Sequence, residues 1–317
     1  MINKIVILLI LLFLIIFPFF GGSYEIHLFI LSMIFGITAM YWNLLDGYIG
    51  IINFGYAGFF GIGAYCSALL SMRLDVSPFL GLIIGGLVAG AIGVFITIPF
   101  LRLGKYAMCM ATLAFSEILR VICSGWVEVT RGEKGLWGIP AFFPSSSATY
   151  YLVFLILMMG SYILYKIVNS KFGLAFMAIR EDETVAYVLG IDINKYKLLA
   201  SFISCFFAGI AGALYAHYIQ LLAPAIFGLS YTLQIMAMSL VGGKATVFGP
   251  LLGSFILTLL PEYFRFLAEY RLIVYGLIII VVVNLFPNGI FGGIYYIKKS
   301  IEKFIAGEDK KVHTLET

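Results

Sequence analysis

Ionisable side chains are scarce in this chain, so each one set inside an apolar run has to be accounted for. Glu117 lies in AFSEILRVI (residues 114–122), with Arg120 three residues on. On a helix that spacing puts carboxylate and guanidinium on one face, close enough to pair. A charge at membrane depth marks a polar point in a transport path, or equally a pair that neutralises itself near the interface. Asn43, Asn53, Gln234 and Asn284 are further polar groups within apolar stretches. His27, His217 and His313 are scattered, and His217 reads as a packing residue rather than a ligand. Cys66, Cys109, Cys123 and Cys205 lack metal-knuckle or redox spacing and read as small hydrophobes. There is no HExxH, no GxSxG and no phosphate loop; GGKAT at 242–246 lacks both the loop and the following Ser or Thr. No residue pattern assigns a catalytic group, a metal or a cofactor, which leaves binding and passage as the available chemistry.

The sharpest local signal is residues 169–197, NSKFGLAFMAIREDETVAYVLGIDINKYK. Phe176, Ile179, Glu183, Ala186 and Gly190 recur at three- and four-residue intervals, which predicts one short amphipathic helix. Arg180, Glu181, Asp182 and Glu183 crowd one edge, and Gly190 can end the helix by going left-handed. Such a helix at a membrane surface has the shape to dock into a partner's groove, although a solvated charge run would read the same way.

These residues have to be carried by a membrane bundle. Of 317 residues, 62% are hydrophobic and 11% charged, against roughly 25% charged in an ordinary soluble domain. That excludes a soluble globular protein, a disordered chain and a nucleic-acid binder. A spanning helix needs about 20 apolar residues. Candidate passes are 5–20, 24–45, 49–72, 77–99, 106–124, 148–167, 198–219, 230–247, 249–264 and 272–290, and the Gly-broken or short ones could be re-entrant. The expected fold is an all-α polytopic membrane protein of about ten transmembrane or re-entrant helices. Of the 20 Lys and Arg, all but Arg73, Arg120, Arg131, Lys134, Arg265 and Arg271 fall on the side of the N-terminus, which predicts N-in and C-in. Residues 1–297 are expected to form one transmembrane domain containing the 169–197 loop, and 298–317 a short cytoplasmic tail. Lys4 and its apolar run end in FPFFGG rather than a small-x-small site, so the first helix is expected to stay uncleaved. Trp126, Trp137, Tyr150 and Tyr151 near one face, and Tyr295 and Tyr296 near the other, suit interfacial anchors. Small residues four apart (Gly81/Gly85, Gly86/Gly90, Ala89/Gly93, Ala208/Gly212, Gly209/Ala213) predict close helix packing.

The 169–197 loop resembles the cytoplasmic coupling segment of the M-type permease subunit in the branched-chain amino-acid ABC importer family. The matching positions are Gly173, Ala178, Arg180, Asp182, Glu183, Ala186, Gly190 and Lys197. It is a degenerate form of the importer pattern EAAxxxG, with Thr184 and Val185 in the first two places. GYIGIINFGYAGFFGIGAY (47–65), LGKYAMCMATLAFSEILR (103–120), SCFFAGIAGALYA (204–216), Pro224 with Phe227, VGGKATVFGPLLGS (241–254) and LFPNGIFGG (285–293) are similar to the family in the same order. Departures are Arg131 and Ala245, each where the family shows a glycine, and Tyr48 and Asn53 in place of its Gln and Ser.

The resemblance implies a non-enzymatic subunit of the bacterial or archaeal cytoplasmic (inner) membrane that translocates leucine, isoleucine or valine. Urea or another small amide or amino acid, and a self-sufficient ion-coupled carrier, are the alternatives. Implied partners are ATP-binding subunits, a second homologous permease, an extracytoplasmic substrate-binding protein and membrane lipid, with no nucleic acid. Arg180, Glu181, Asp182, Glu183, Ala186 and Gly190 are expected to couple to the ATPase, and Asn53, Tyr56 and Glu117 to line the substrate path.

Overall fold

The computed structural model describes residues 4–101, 104–263, 276 and 289–292. The expected tail 298–317, the anchors Tyr295 and Tyr296, Asn284, and almost all of the pass at 272–290 lie outside them. The helices are α1 (Lys4–Phe20), α2 (Ser23–Asn43), α3 (Tyr56–Arg73), α4 (Pro78–Phe100), α5 (Lys105–Gly125), α6 (Val127–Thr130), α7 (Ser146–Val168), α8 (Lys171–Glu181), α9 (Glu183–Val188), α10 (Ile193–Ile219), α11 (Leu229–Gly242) and α12 (Gly249–Tyr263). Two two-residue strands, β1 (Leu136–Trp137) and β2 (Leu221–Leu222), pair antiparallel and clip the 126–145 segment to the end of α10.

Among the described residues, five helical stretches are long and apolar enough to cross a membrane: Ser23–Ile49, Pro78–Phe100, Tyr106–Gly125, Ser146–Val168 and Ile193–Ile219. At 14 residues, α11 reaches only about 21 Å, short of a hydrocarbon core of about 30 Å. The turn between α11 and α12 falls at Gly243–Phe248, so the helix of the pass expected at 230–247 already ends at Gly242.

The pass expected at 49–72 is broken. Helix α2 runs on into a π-helical turn, Leu44–Ile49, which ends at Gly50 in the left-handed region (φ 80°). Helix α3 begins only at Tyr56. Side chains hold the backbone of the break in place of helical bonds. Trp42 Nε1 donates to the Asn53 carbonyl at 3.1 Å, the Phe54 N–H donates to Thr112 Oγ1 at 3.2 Å, and the Gly55 N–H donates to Asn53 Oδ1 at 2.9 Å. Irregular backbone is tolerated at membrane depth only where protein or water satisfies it.

Helices α3, α4 and α10 pack along a seam of small residues. A Cβ on Gly63 would lie 2.1 Å from the carbonyl oxygen of Gly209, and one on Gly85 would lie 2.8 Å from that of Gly63. The backbones therefore touch directly, and packing replaces the hydrophobic drive that lipid removes. His217 lies buried at the end of this seam, with Nδ1 donating to the Pro140 carbonyl at 2.6 Å and Nε2 2.8 Å from Ser67 Oγ. Trp126 and Trp137 are exposed as interfacial anchors require. Tyr150 is not: it is fully buried, and its hydroxyl donates to the Leu14 carbonyl at 2.8 Å, because the N-terminal half of α7 is covered by α1.

Candidate functional site

The 169–197 segment is structured, but as two helices rather than one. The break is Asp182, whose backbone is extended (φ −156°, ψ 116°). Its carboxylate accepts hydrogen bonds from the backbone N–H of Thr184 at 2.7 Å and Val185 at 3.1 Å, making it the N-cap of α9. Those bonds to the charged form, Val185 first and then Thr184, hold its pKa below the ordinary 3.8. Asp182 thus serves the helix itself instead of offering a free charge.

The other end of α9 closes as a Schellman motif. The Ile191 N–H donates to the Ala186 carbonyl at 3.0 Å and the Gly190 N–H to that of Tyr187 at 2.9 Å, with Gly190 at φ 81°. The Ala-x-x-x-Gly spacing is therefore the register of one helix end: Ala186 supplies the last captured carbonyl and is itself buried. Between its two caps α9 exposes Val185, Tyr187, Val188 and, just past its end, Leu189, the last three each more than 70% exposed. Beside them an open cleft of about 660 Å³ is lined by Tyr187, Val188, Ile191, Ile193, Asn194 and Lys197, among others.

This pair of helices is tied to the interior. Arg180 Nη1 donates to the Gly47 carbonyl at 2.6 Å while Nη2 pairs with Glu181 at 2.6 Å. Glu183 pairs with Lys197 at the start of α10, at 2.8 Å. Below that pair a cavity of about 180 Å³ opens against the backbone break, lined by Gly50, Ile51, Ile52, Met108, Glu183 and Lys197, among others. The π-helical turn is joined in addition to the α11–α12 turn. Lys244 Nζ lies 2.7 Å from the buried Asp46 carboxylate, and Asn43 bridges Thr246 and Ala245, donating to the first carbonyl at 2.7 Å and accepting from the second N–H at 3.2 Å. Sequence reading singled out Asn43 as a polar group but not its partners. The signal it lacked was the pairing of Asp46 with a lysine about 200 positions away.

The three residues expected along a path do not come together. Asn53 is buried and spent on the turn at Gly55. Tyr56 is fully buried, its hydroxyl 2.9 Å from Ser204 Oγ and 3.0 Å from the Ser204 carbonyl. Glu117 lies midway along α5, pairs with Arg120 at 2.6 Å, and both side chains stay half exposed.

Long apolar helices joined through a small-residue seam, a helix too short to span and a structured loop tied to them together define a multi-pass membrane permease. Residues 26–283 match the family described as "Branched-chain amino acid transport system / permease component", and the chain belongs to that family. It is 30% identical over 302 residues to the high-affinity branched-chain amino acid transport system permease protein LivM of Escherichia coli K12, covering 86% of this chain and 71% of that one. The LivM protein of Salmonella typhimurium is 28% identical, covering 91% and 75%. A probable branched-chain amino acid transport permease protein LivH of Methanocaldococcus jannaschii is 26% identical, covering 76% and 82%. No solved structure matches the chain.

Proposed function

We propose that this chain is the permease subunit of an ABC importer for leucine, isoleucine and valine in the cytoplasmic membrane. Helices α8 and α9 face the cytoplasm and dock on a separate ATP-hydrolysing subunit. The observation that carries this reading is the capped helix α9, which presents a row of exposed apolar side chains and a cleft at one end of the bundle. Apolar groups displayed together in this way mark an interaction surface. Arg180, Glu181 and Glu183 fix the orientation of that surface, while Asp182, Ala186 and Gly190 fix its shape. An extracytoplasmic binding protein delivers the amino acid at the opposite end.

Similarity to relatives named LivM and to relatives named LivH supports pairing with a second, related permease. Glu117 and Arg120 then face that second subunit and the path between the two, since ionised groups in spanning helices turn toward protein or water. Asn53 and Tyr56 act indirectly, by holding the backbone break beside the path. The test is gentle affinity purification from native membranes, with mass spectrometry of what stays attached. An ATPase and a second permease in fixed ratio are the expected result. A chain that comes alone and transports down an ion gradient would overturn the proposal in favour of a self-sufficient carrier.

A further inference from the structure

At the end of the bundle away from α8 and α9, four helices surround a polar cavity of about 460 Å³, a size suited to a small molecule. Polar groups reach it from His27 on α2, Gln234 on α11, and Thr258 and Glu262 on α12; Leu31 and Leu257 give it an apolar wall. It extends along α2 from Tyr24 to Phe35, about 16 Å of helix, or roughly half of a bilayer core. The sequence brings these residues from segments more than 200 positions apart, and only Gln234 among them stands out by its type.

The groups are arranged in complementary sets. Glu262 accepts a hydrogen bond from the Tyr24 hydroxyl and supplies a carboxylate. His27 Nδ1 lies 2.8 Å from the Tyr218 hydroxyl, which leaves Nε2 as the ring's second polar atom. Thr258 Oγ1 is buried with no hydrogen-bond partner among the described residues. A buried hydroxyl of that kind is destabilising unless something polar meets it.

We infer that this cavity binds a free aliphatic amino acid as its zwitterion, midway between delivery and passage. The Glu262 carboxylate receives the ammonium group. The amide of Gln234, the hydroxyl of Thr258 and Nε2 of His27 donate to the carboxylate. Leu31 and Leu257 cover the branched side chain. This rests on the importer reading above and adds to it the place and chemistry of recognition.

The test uses the complete transporter in proteoliposomes, carrying Leu28→Cys or Tyr231→Cys, which line the cavity but are not among the groups assigned to the ligand. The unsubstituted transporter, which keeps this chain's four native cysteines, gives the background. A membrane-impermeant maleimide is added to the side opposite the ATPase, without ATP. Leucine at saturating concentration should slow labelling at least about fivefold, whereas isobutylamine and isovalerate, each keeping one charge, should not. Labelling that leucine leaves unchanged in both variants overturns the inference, as does protection by either single-charge analogue. ATP-driven leucine uptake measured on the same vesicles reports separately on the importer reading, so the two can fail independently.

Discussion

Arg180 Nη1 donates a 2.6 Å hydrogen bond to the carbonyl oxygen of Gly47, joining α8 to the π-helical turn after α2. Gly47 itself packs against Asn43 and the backbone of Ala245, so the guanidinium is two contacts from the α11–α12 turn. A guanidinium can reach Gly47 and Glu181 together because its nitrogens are held in a fixed fork, which an ammonium lacks.

Arg180→Lys should therefore keep the charge and lose the link. A hydrogen bond to a charged group contributes about 1.5–3 kcal/mol, so leucine transported per ATP should drop roughly tenfold with ATP hydrolysis and membrane insertion maintained. Uptake and phosphate release measured on the same proteoliposomes decide it. An unchanged ratio would show that the contact transmits nothing.

Asp182 makes α9 sensitive to acid. Its pKa is lower in the folded protein than in the unfolded chain, so the cap supports α9 fully above the unfolded value and loses that support as pH falls through the folded one. Protection of α9 against proteolysis by an acid-active protease should decline below about pH 4. Asp182→Asn, which caps without titrating, should flatten that decline, and Asp182→Ala should lower protection at every pH. Parallel pH profiles for all three chains would sink this account.

The seam between α3 and α10 leaves no room for a methyl group. Gly63→Ala would put a Cβ 2.1 Å from the Gly209 carbonyl oxygen, and backbone cannot step aside as a flexible side chain can. A destabilisation of about 3 kcal/mol or more is expected, seen as loss of monodisperse protein on size-exclusion chromatography. Gly125→Ala, where an added Cβ meets nothing within 4 Å, should behave as wild type.

Two non-glycine residues occupy left-handed backbone where the resemblance expects glycine: Arg131 at φ 60° and Ala245 at φ 54°. That conformation costs an ordinary residue about 1–2 kcal/mol. Ala245→Gly should raise the thermal midpoint in detergent, with a gain of up to about 1 kcal/mol after the extra freedom of the unfolded chain is counted. Arg131→Gly should bring no gain, since it removes a guanidinium 4.4 Å from the centre of the Trp137 ring that also donates to the Trp137 carbonyl at 3.2 Å. Equal shifts for the two substitutions would refute the distinction.

What the sequence discloses here is what depends on near neighbours. The spacing of Ala186 and Gly190 is readable because a helix end is built from six consecutive residues, and the seam because small residues recur every fourth position on one helix. The break at Asp182 was hidden because aspartate in a run of charges looks like surface, although it stands two and three residues before the N–H groups it caps. Asn53 and Tyr56 look like path residues by type, yet their burial follows from helices packed across the bundle. Of the cavity around His27 and Glu262 the sequence marks only Gln234, because the cavity exists only once α2, α10, α11 and α12 come together.

The backbone contacts among α3, α4 and α10 have a mechanical consequence. Helices that touch without intervening side chains cannot slide past one another by repacking rotamers, so these three move as a rigid block. Any hinge belongs at its borders, where the α11–α12 hairpin hangs on Asn43 and Asp46 and the chain between Gly50 and Gly55 has no helical ladder to resist bending. Force applied at α8 and α9 would then rotate a light lever against a heavy frame.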